Sequence, residues 1–432
     1  MTTIKQVSAP NVEKGKKPGL FRRSLAILGP GLITGAADDD PSGISTYSVA
    51  GAAYGYATLW IALLTFPLMA AVQLMCARLG MVTGRGLAAA VRIYYSRWVL
   101  WGSCSILVVA NVINIGADLG GMAEATQLIT GIRALIWIPV YALFILGLLF
   151  WSSYQRIARI FKWLTLVLFA YVLASSFAHV DWRHALVVTF VPHLEWSRGF
   201  LAVLVAILGT TISPYLFFWQ AAEEVEEKQA KDQTLAHPKK TTTADLKTAR
   251  ADTIAGMFFS NLIMYFIILT TAATLHAHGQ ADITTAQQAA EALRPLAGNG
   301  AYLLFTLGLI GTGMLGVPVL VGSSAYAVAE GAAWRGSMTD TPKSAGKFYA
   351  VMAVAMVLGS VLNYVGFNAV KMLFWSAVIN GLLAPPLILL VILLTSSHKV
   401  MGKRVNPPLL RYLGWATLVV MTVAAVAMIV TS

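Results

Sequence analysis

The acidic residues that fit their surroundings least are Asp38, Asp39 and Asp40, in "GAADDDPSGIS" (35–45) within an otherwise apolar stretch. Carboxylates in an apolar span cost about 2.5–3.5 kcal/mol each on insertion scales, and they usually mark an ion or proton pathway. A second polar interruption, "GTTISPYL" (209–216), brings the hydroxyls of Thr210, Thr211 and Ser213 next to Pro214. Asp118 and Glu124, six residues apart in another apolar stretch, are further pathway candidates. The chemistry on offer is the handling of cations or protons by oxygen. Two cysteines, Cys76 and Cys104, do not suggest a disulfide framework. The seven histidines fall at span ends or in loops, which disfavours a buried histidine metal cluster. No Ser/His/Asp constellation, phosphate-binding loop or Cys/His metal pattern stands out, so an enzyme is not expected.

The elements that must position these residues follow from composition. The 432-residue chain is 57% hydrophobic and 12% charged, with a mean hydropathy of +0.70, which predicts an all-α polytopic membrane protein. Apolar runs long enough to cross a hydrocarbon core of about 30 Å recur eleven times. They lie near 24–53, 56–79, 98–129, 134–152, 159–178, 198–227, 252–275, 300–331, 347–365, 370–396 and 412–431. With the N-terminus inside, only Arg133, Arg183, Arg198, Arg294 and Lys371 of the 31 Lys and Arg residues fall outside. The net charge of +12 is therefore read as topology, not as a nucleic-acid interface. An odd number of spans leaves the C-terminus outside. The basic tail, residues 1–23, carries no cleavage signal. Residues 228–250 read as a flexible cytoplasmic linker, and 276–298 as the largest external loop, with room for a short amphipathic helix.

Spans 1 and 6 are each about 30 residues long and carry helix-breaking chemistry near the midpoint. Non-helical backbone at that depth needs protein or a water-filled cavity to satisfy it. Paired interruptions in two halves point to a transporter site between inverted repeats. Residues 24–178 and 198–396 would form two five-helix halves of opposite orientation, with 412–431 as an added helix. In both Asp40-Pro41 and Ser213-Pro214 a short oxygen-bearing residue precedes proline, the pattern of an N-cap followed by N1. Asp40 alone is equally well read as a simple helix cap.

"GPGLITGAADDDPSG…AAYGYATLWIALL" resembles the opening of the Nramp family of divalent metal transporters, which carry Asp-Pro-Gly-Asn at the break. The likeness continues in "ADLGG" (117–121), "GTTISPY" (209–215) and "AYAVAEG" (325–331). It implies the LeuT-type five-plus-five inverted repeat and secondary transport of a metal ion, usually with protons. It also implies Asp40 as a metal ligand. Gly43 stands where the family has an asparagine ligand, Thr210 at the position of a carbonyl-bearing alanine, and Ser213 at that of a methionine ligand. Without sulfur, the remaining oxygen donors favour Mg, Ca or Mn over softer metals. The family's span 6 histidine is Tyr215, and its second span 3 acid is Gly121, beside a retained Asp118. Glu124, one turn further on, is a candidate replacement for that acid.

Several other residues have two readings. Asp38 and Asp39 could replace lost ligands or serve the coupling pathway. Asn380 could face the cavity or bind helices together. Ser323 and Ser324 could hold sodium or allow close packing. Glu223, Glu224, Glu226 and Glu227 could form an acidic vestibule or a solvated helix end. The leading expectation is a bacterial-type inner-membrane importer of a divalent cation, working by alternating access. It would have no cofactor, H⁺ or Na⁺ as coupling ion, the bilayer as its partner and a monomer as a plausible state. The alternatives are a symporter of an organic solute or amino acid, with an aromatic lid near Tyr215, Phe217 and Phe218, and a membrane sensor.

Overall fold

The computed structural model describes residues 29–152, 166–233 and 241–431. The basic tail (1–23), the first residues of span 1, the start of span 5 and the centre of the polar linker lie outside the described residues. Span 1 is two helices, α1 (Pro30–Asp38) and α2 (Pro41–Tyr54). They are followed by α3 (Trp60–Thr83), α4 (Leu87–Tyr94), α5 (Arg97–Thr130) and α6 (Ala134–Trp151). Then come α7 (Phe169–Phe177), α8 (Trp182–Phe190) and the two parts of span 6, α9 (Arg198–Thr211) and α10 (Pro214–Gln233). The chain ends with α11 (Thr243–Thr274), α12 (Ala301–Gly331), α13 (Gly346–Leu362), α14 (Ala369–Ser396) and α15 (Pro408–Val430). Among the described residues nine helical segments are long and apolar enough to cross a membrane, beside the broken span 1 and a shorter apolar helix at 166–177.

Burial sorts these helices into an inside and a rim. The apolar window of α9–α10 is 94% buried and that of α6 only 22%. Val140, Leu143 and Phe144 on α6, Val354, Val357 and Val361 on α13, and Val419, Val423 and Val426 on α15 are exposed apolar surface, suited to lipid. Trp98 and Trp151 are exposed at helix ends, and Trp182 and Trp196 lie near the other side, where amphipathic rings suit the interface.

The parts of the two broken helices pack on different neighbours. α1 and α2 pack on α11, whereas α10 packs on α3 and α9 on α14. Backbone meets backbone at two of these contacts. A Cβ on Gly35 would strike the Gly256 carbonyl, and one on Gly209 would lie 2.7 Å from Gly381 Cα. Glycine is required there because any side chain would push the helices apart. Asn261 joins α11 to α3, donating to the Ala62 carbonyl at 2.8 Å and accepting from Thr65 Oγ1 at 2.9 Å.

The polar segment expected as a linker is largely helical where it is described. α10 runs on to Gln233, and α11 begins at Thr243, set by a capping box between Thr242 and Asp245. Polarity alone does not distinguish a solvated helix end from a flexible tether. Lys228 Nζ also reaches the Met81 carbonyl and Thr241 Oγ1, which ties the segment to the end of α3. The 276–298 segment, expected as the largest external loop, contains the short helix Ala286–Ala290, capped by Thr285 and Gln288.

Gly209→Ala should lower the thermal midpoint in detergent through overpacking of about 1–3 kcal/mol. Gly102→Ala, on an exposed helix face where a Cβ meets nothing within 4 Å, should leave it unchanged or raise it by the equivalent of about 0.5–1 kcal/mol. Equal midpoints for the two variants would refute the close-contact reading.

Candidate functional site

The first break is built by its own residues. α1 ends at Asp39 (φ −83°, ψ 50°), and Asp40 turns extended (φ −67°, ψ 172°) as the N-cap of α2, with Pro41 at N1. Asp40 Oδ1 accepts from the Gly43 amide at 2.8 Å and from Ser42 Oγ at 2.7 Å. Capping and charge therefore reside in one side chain. Its Oδ2 faces the second break, where the Tyr215 hydroxyl lies 3.3 Å away and also 3.2 Å from the Ala37 carbonyl at the end of α1.

The second break differs from the sequence expectation. Ser213 does not act as a side-chain N-cap. Its hydroxyl donates backwards to the carbonyls of Gly209 at 2.8 Å and Thr210 at 2.7 Å. The end of α9 is buried, so its last carbonyls need a donor, and a serine hydroxyl can serve either helix end. Thr210 Oγ1 is buried without a hydrogen-bond partner and lies 3.2 Å from where a Cβ on Gly43 would be. The absence of a side chain at Gly43 therefore brings the two breaks together.

Asp118 comes to the same place from α5. It is fully buried near Asp40 and the Ser42 amide, and neither carboxylate oxygen has a hydrogen-bond partner. Asn380, 1% exposed, precedes the Gly381 that abuts Gly209, and its Nδ2 is also unpartnered. Asp38 and Asp39 turn instead towards α11, where the Ser260 hydroxyl lies 2.6 Å from Asp38 Oδ2 and 3.2 Å from Asp39 Oδ1. Glu124 lies about 9 Å along α5 from Asp118, against the amides of Ala286 and Ala369 at two helix starts. Ser323 and Ser324 lie about 10 Å along α12 from Gly316, which abuts Asp40. Their hydroxyls each donate to the Leu320 carbonyl and accept from Asn111 Nδ2 at 2.9 Å.

Three contacts close the end nearest the basic loops. The Asp252 carboxylate of α11 accepts from the amides of Gly29 at 3.2 Å and Gly31 at 2.7 Å, holding the start of α1. Thr34 Oγ1 donates to Gln220 at 2.6 Å, and Gln220 in turn donates to Glu224 at 3.0 Å. Of the four glutamates that read either as a solvated helix end or as an acidic vestibule, Glu223, Glu224 and Glu226 are buried, which does not fit a solvated end, and Glu226 is bound by the Tyr326 hydroxyl and the Met338 amide. Sequence reasoning missed Ser260, Asp252 and Gln220. The available signal was an acid and a lone serine within the apolar part, 252–275, of the helix that packs against span 1. At the opposite end a cavity of about 560 Å³ is lined by His179, His184, His193 and His276 with Tyr54 and Tyr56. Among the described residues no three His, Cys, Asp or Glu side chains converge closely enough to hold a metal.

The family model of the natural resistance-associated macrophage protein-like proteins, Nramp, matches residues 31–431. The chain belongs to the Nramp family. A divalent metal cation transporter MntH of Yersinia pestis (strain Pestoides F) is 30% identical over 70% of this chain and 72% of its own length. An MntH of Klebsiella pneumoniae is 27% identical over 95% of both chains. Among solved structures, the Eremococcus coleocola manganese transporter superposes with a TM-score of 0.76 at 19% identity, covering 96% of this chain and 88% of that one. Mhp1, a nucleobase-cation-symport-1 family transporter, superposes with a TM-score of 0.57 at 15% identity over 94% and 93%. These likenesses give the Nramp chain the LeuT-type fold.

Asp252→Ala in this Nramp chain should free α1. With Cys76 and Cys104 both buried, Ala37→Cys should react faster with a soluble thiol reagent in the Asp252→Ala background. An unchanged labelling rate would show that Asp252 does not restrain the helix.

Proposed function

We propose that the protein is a secondary transporter that imports a divalent metal cation across a bacterial-type cytoplasmic membrane, with Asp40 as its charged ligand. One observation carries this reading. Two buried carboxylates, Asp40 and Asp118, lie close together between two helix breaks, without a Lys, Arg or His partner among the described residues. Buried charges persist when they are paired or bind cations, and otherwise they take up protons. A cation with Asp40, or protons on the acids, fulfils that requirement, and exchange between the two is the chemistry of coupled transport. The carbonyl end of α1 adds partial negative charge at the same point.

The first shell would be oxygen from Asp40 and Thr210, with Ser213 available through its remaining lone pairs and water completing the coordination. Sulfur is missing at Ser213, which favours Mg or Mn over softer metals. Asp118 is the proton carrier in this reading. The charge asymmetry supports an N-terminus inside and a C-terminus outside. α1, held by Asp252 at its start and broken at its end, is suited to swing as the inner gate.

In proteoliposomes of the purified protein, uptake of Mn²⁺ or Mg²⁺ should be measurable, faster with an acidic exterior, and lost in Asp40→Ala. Folded wild-type protein that moves neither ion would sink the proposal. Asp118→Asn should keep uptake but lose the acceleration by the pH gradient. Full acceleration in that variant would remove Asp118 from the coupling path.

A further inference from the structure

We propose that Asn114 is a cation-selecting residue of the transport site, acting with Asn380 across the contact between α5 and α14 to hold water of the transported ion. This inference rests on the cation-transport reading above. It starts from a contrast on one helix face. Asn111, Asn114 and Asp118 follow one another on α5 at spacings of three and four, and all are buried. The Asn111 amide nitrogen is engaged, its Nδ2 donating to the Leu320 carbonyl at 3.0 Å and to Ser323 and Ser324. Asn114 is 0% exposed, yet both its Oδ1 and its Nδ2 lack any partner in the protein. A buried primary amide with neither end satisfied is costly, and in native proteins such groups usually serve a water or a ligand.

Helix geometry gives its direction. At about 100° per residue, Asn114 projects within about 20° of Gly121 and about 40° of Asp118. Gly121 faces α14, because a Cβ there would lie 2.8 Å from Leu373 Cδ1. Asp118 faces Asp40 and α2. Asn114 therefore points into the seam between α14 and α2.

The register names its neighbour. α5 and α14 run antiparallel, with Glu124 beside Ala369 and Gly121 beside Leu373. Seven residues further along both helices, about 10.5 Å, Asn114 comes opposite Asn380. The next residue, Gly381, abuts Gly209, so Thr210 stands at the same level. Asn114, Asn380, Thr210 and Asp118 together present six buried polar atoms outside hydrogen-bond geometry, drawn from three helices around Asp40, with the Tyr47 hydroxyl near Thr210 and the Ser42 amide near Asp118. Two of these are amide N–H groups and one an amide carbonyl. An amide carbonyl accepts from a metal-bound water, and its N–H donates to a second water. Neither group has the charge to replace a carboxylate as primary ligand. Such a lining suits an ion that gives up its hydration reluctantly, as Mg²⁺ does.

The test is the concentration dependence of Mg²⁺ and Mn²⁺ uptake in proteoliposomes containing wild type, Asn114→Leu, Asn380→Leu or the double variant. Asn114→Leu should raise KM for Mg²⁺ by about tenfold, the loss of one or two hydrogen bonds, with the maximal rate little changed. KM for Mn²⁺ should rise less. The double variant should be no worse than the product of the singles and close to the poorer one, since the amides act as a pair. Thermal stability should be unchanged or higher, because an unsatisfied amide has been removed. Unchanged KM for both ions with wild-type transport intact would overturn this inference alone. Wild-type protein that transports neither ion would overturn it together with the function. If the leucine variant does not fold, Asn114→Ala is read by the same criteria.

Discussion

The structure depends on one constraint: two helices stop and restart deep within an apolar bundle, where lipid offers no hydrogen bonds. Every group freed by the breaks must find a partner within the protein. Asp40 takes the Gly43 amide, Ser213 turns back to the carbonyls of Gly209 and Thr210, and Tyr215 bridges from the Ala37 carbonyl to Asp40. The same oxygens that repair the backbone converge between the breaks. In the proposed function, ion binding and local folding would share these oxygens, so a substitution at Asp40 would act on both.

The breaks can meet only because the helices around them approach closely. Gly31 and Gly35 seat α1 on α11, and Gly209 seats α9 on Gly381 of α14. Backbone contact of this kind replaces the hydrophobic drive that lipid cannot supply between helices. It also separates parts by role. α1 is held at its start by the Asp252 carboxylate and sidewise by Thr34 through Gln220, contacts that can break without unfolding a helix. α5 and α12 pack extensively against each other.

Much of this was legible in the sequence. Expected spans such as 98–129, 300–331 and 370–396 agree with Arg97–Thr130, Ala301–Gly331 and Ala369–Ser396 to within a residue or two. The first break and its Asp40-Pro41 cap were readable because a cap and a proline act on their immediate neighbours. Other features were misread or missed. The polar ends of the 228–250 segment are helical because capping and packing on α3 outweigh composition. Ser213 could cap either helix end by sequence, and the buried carbonyls of α9 decided which. Asp38 and Asp39 were free to face the ion until α11 brought Ser260 beside them.

By itself the sequence determined the membrane-helical architecture, the number and extent of most spans, the place of the breaks and the family. Those properties depend on hydropathy and capping within a few residues. Only the tertiary structure decided which oxygens converge and which are consumed elsewhere. Glu124 ends at two helix starts, Ser323 and Ser324 bind Asn111, and Asn114 stays unpaired beside Asp118. The partner of a polar side chain inside a bundle is set by the helix that lies opposite, often more than a hundred residues away, and no local pattern encodes that choice.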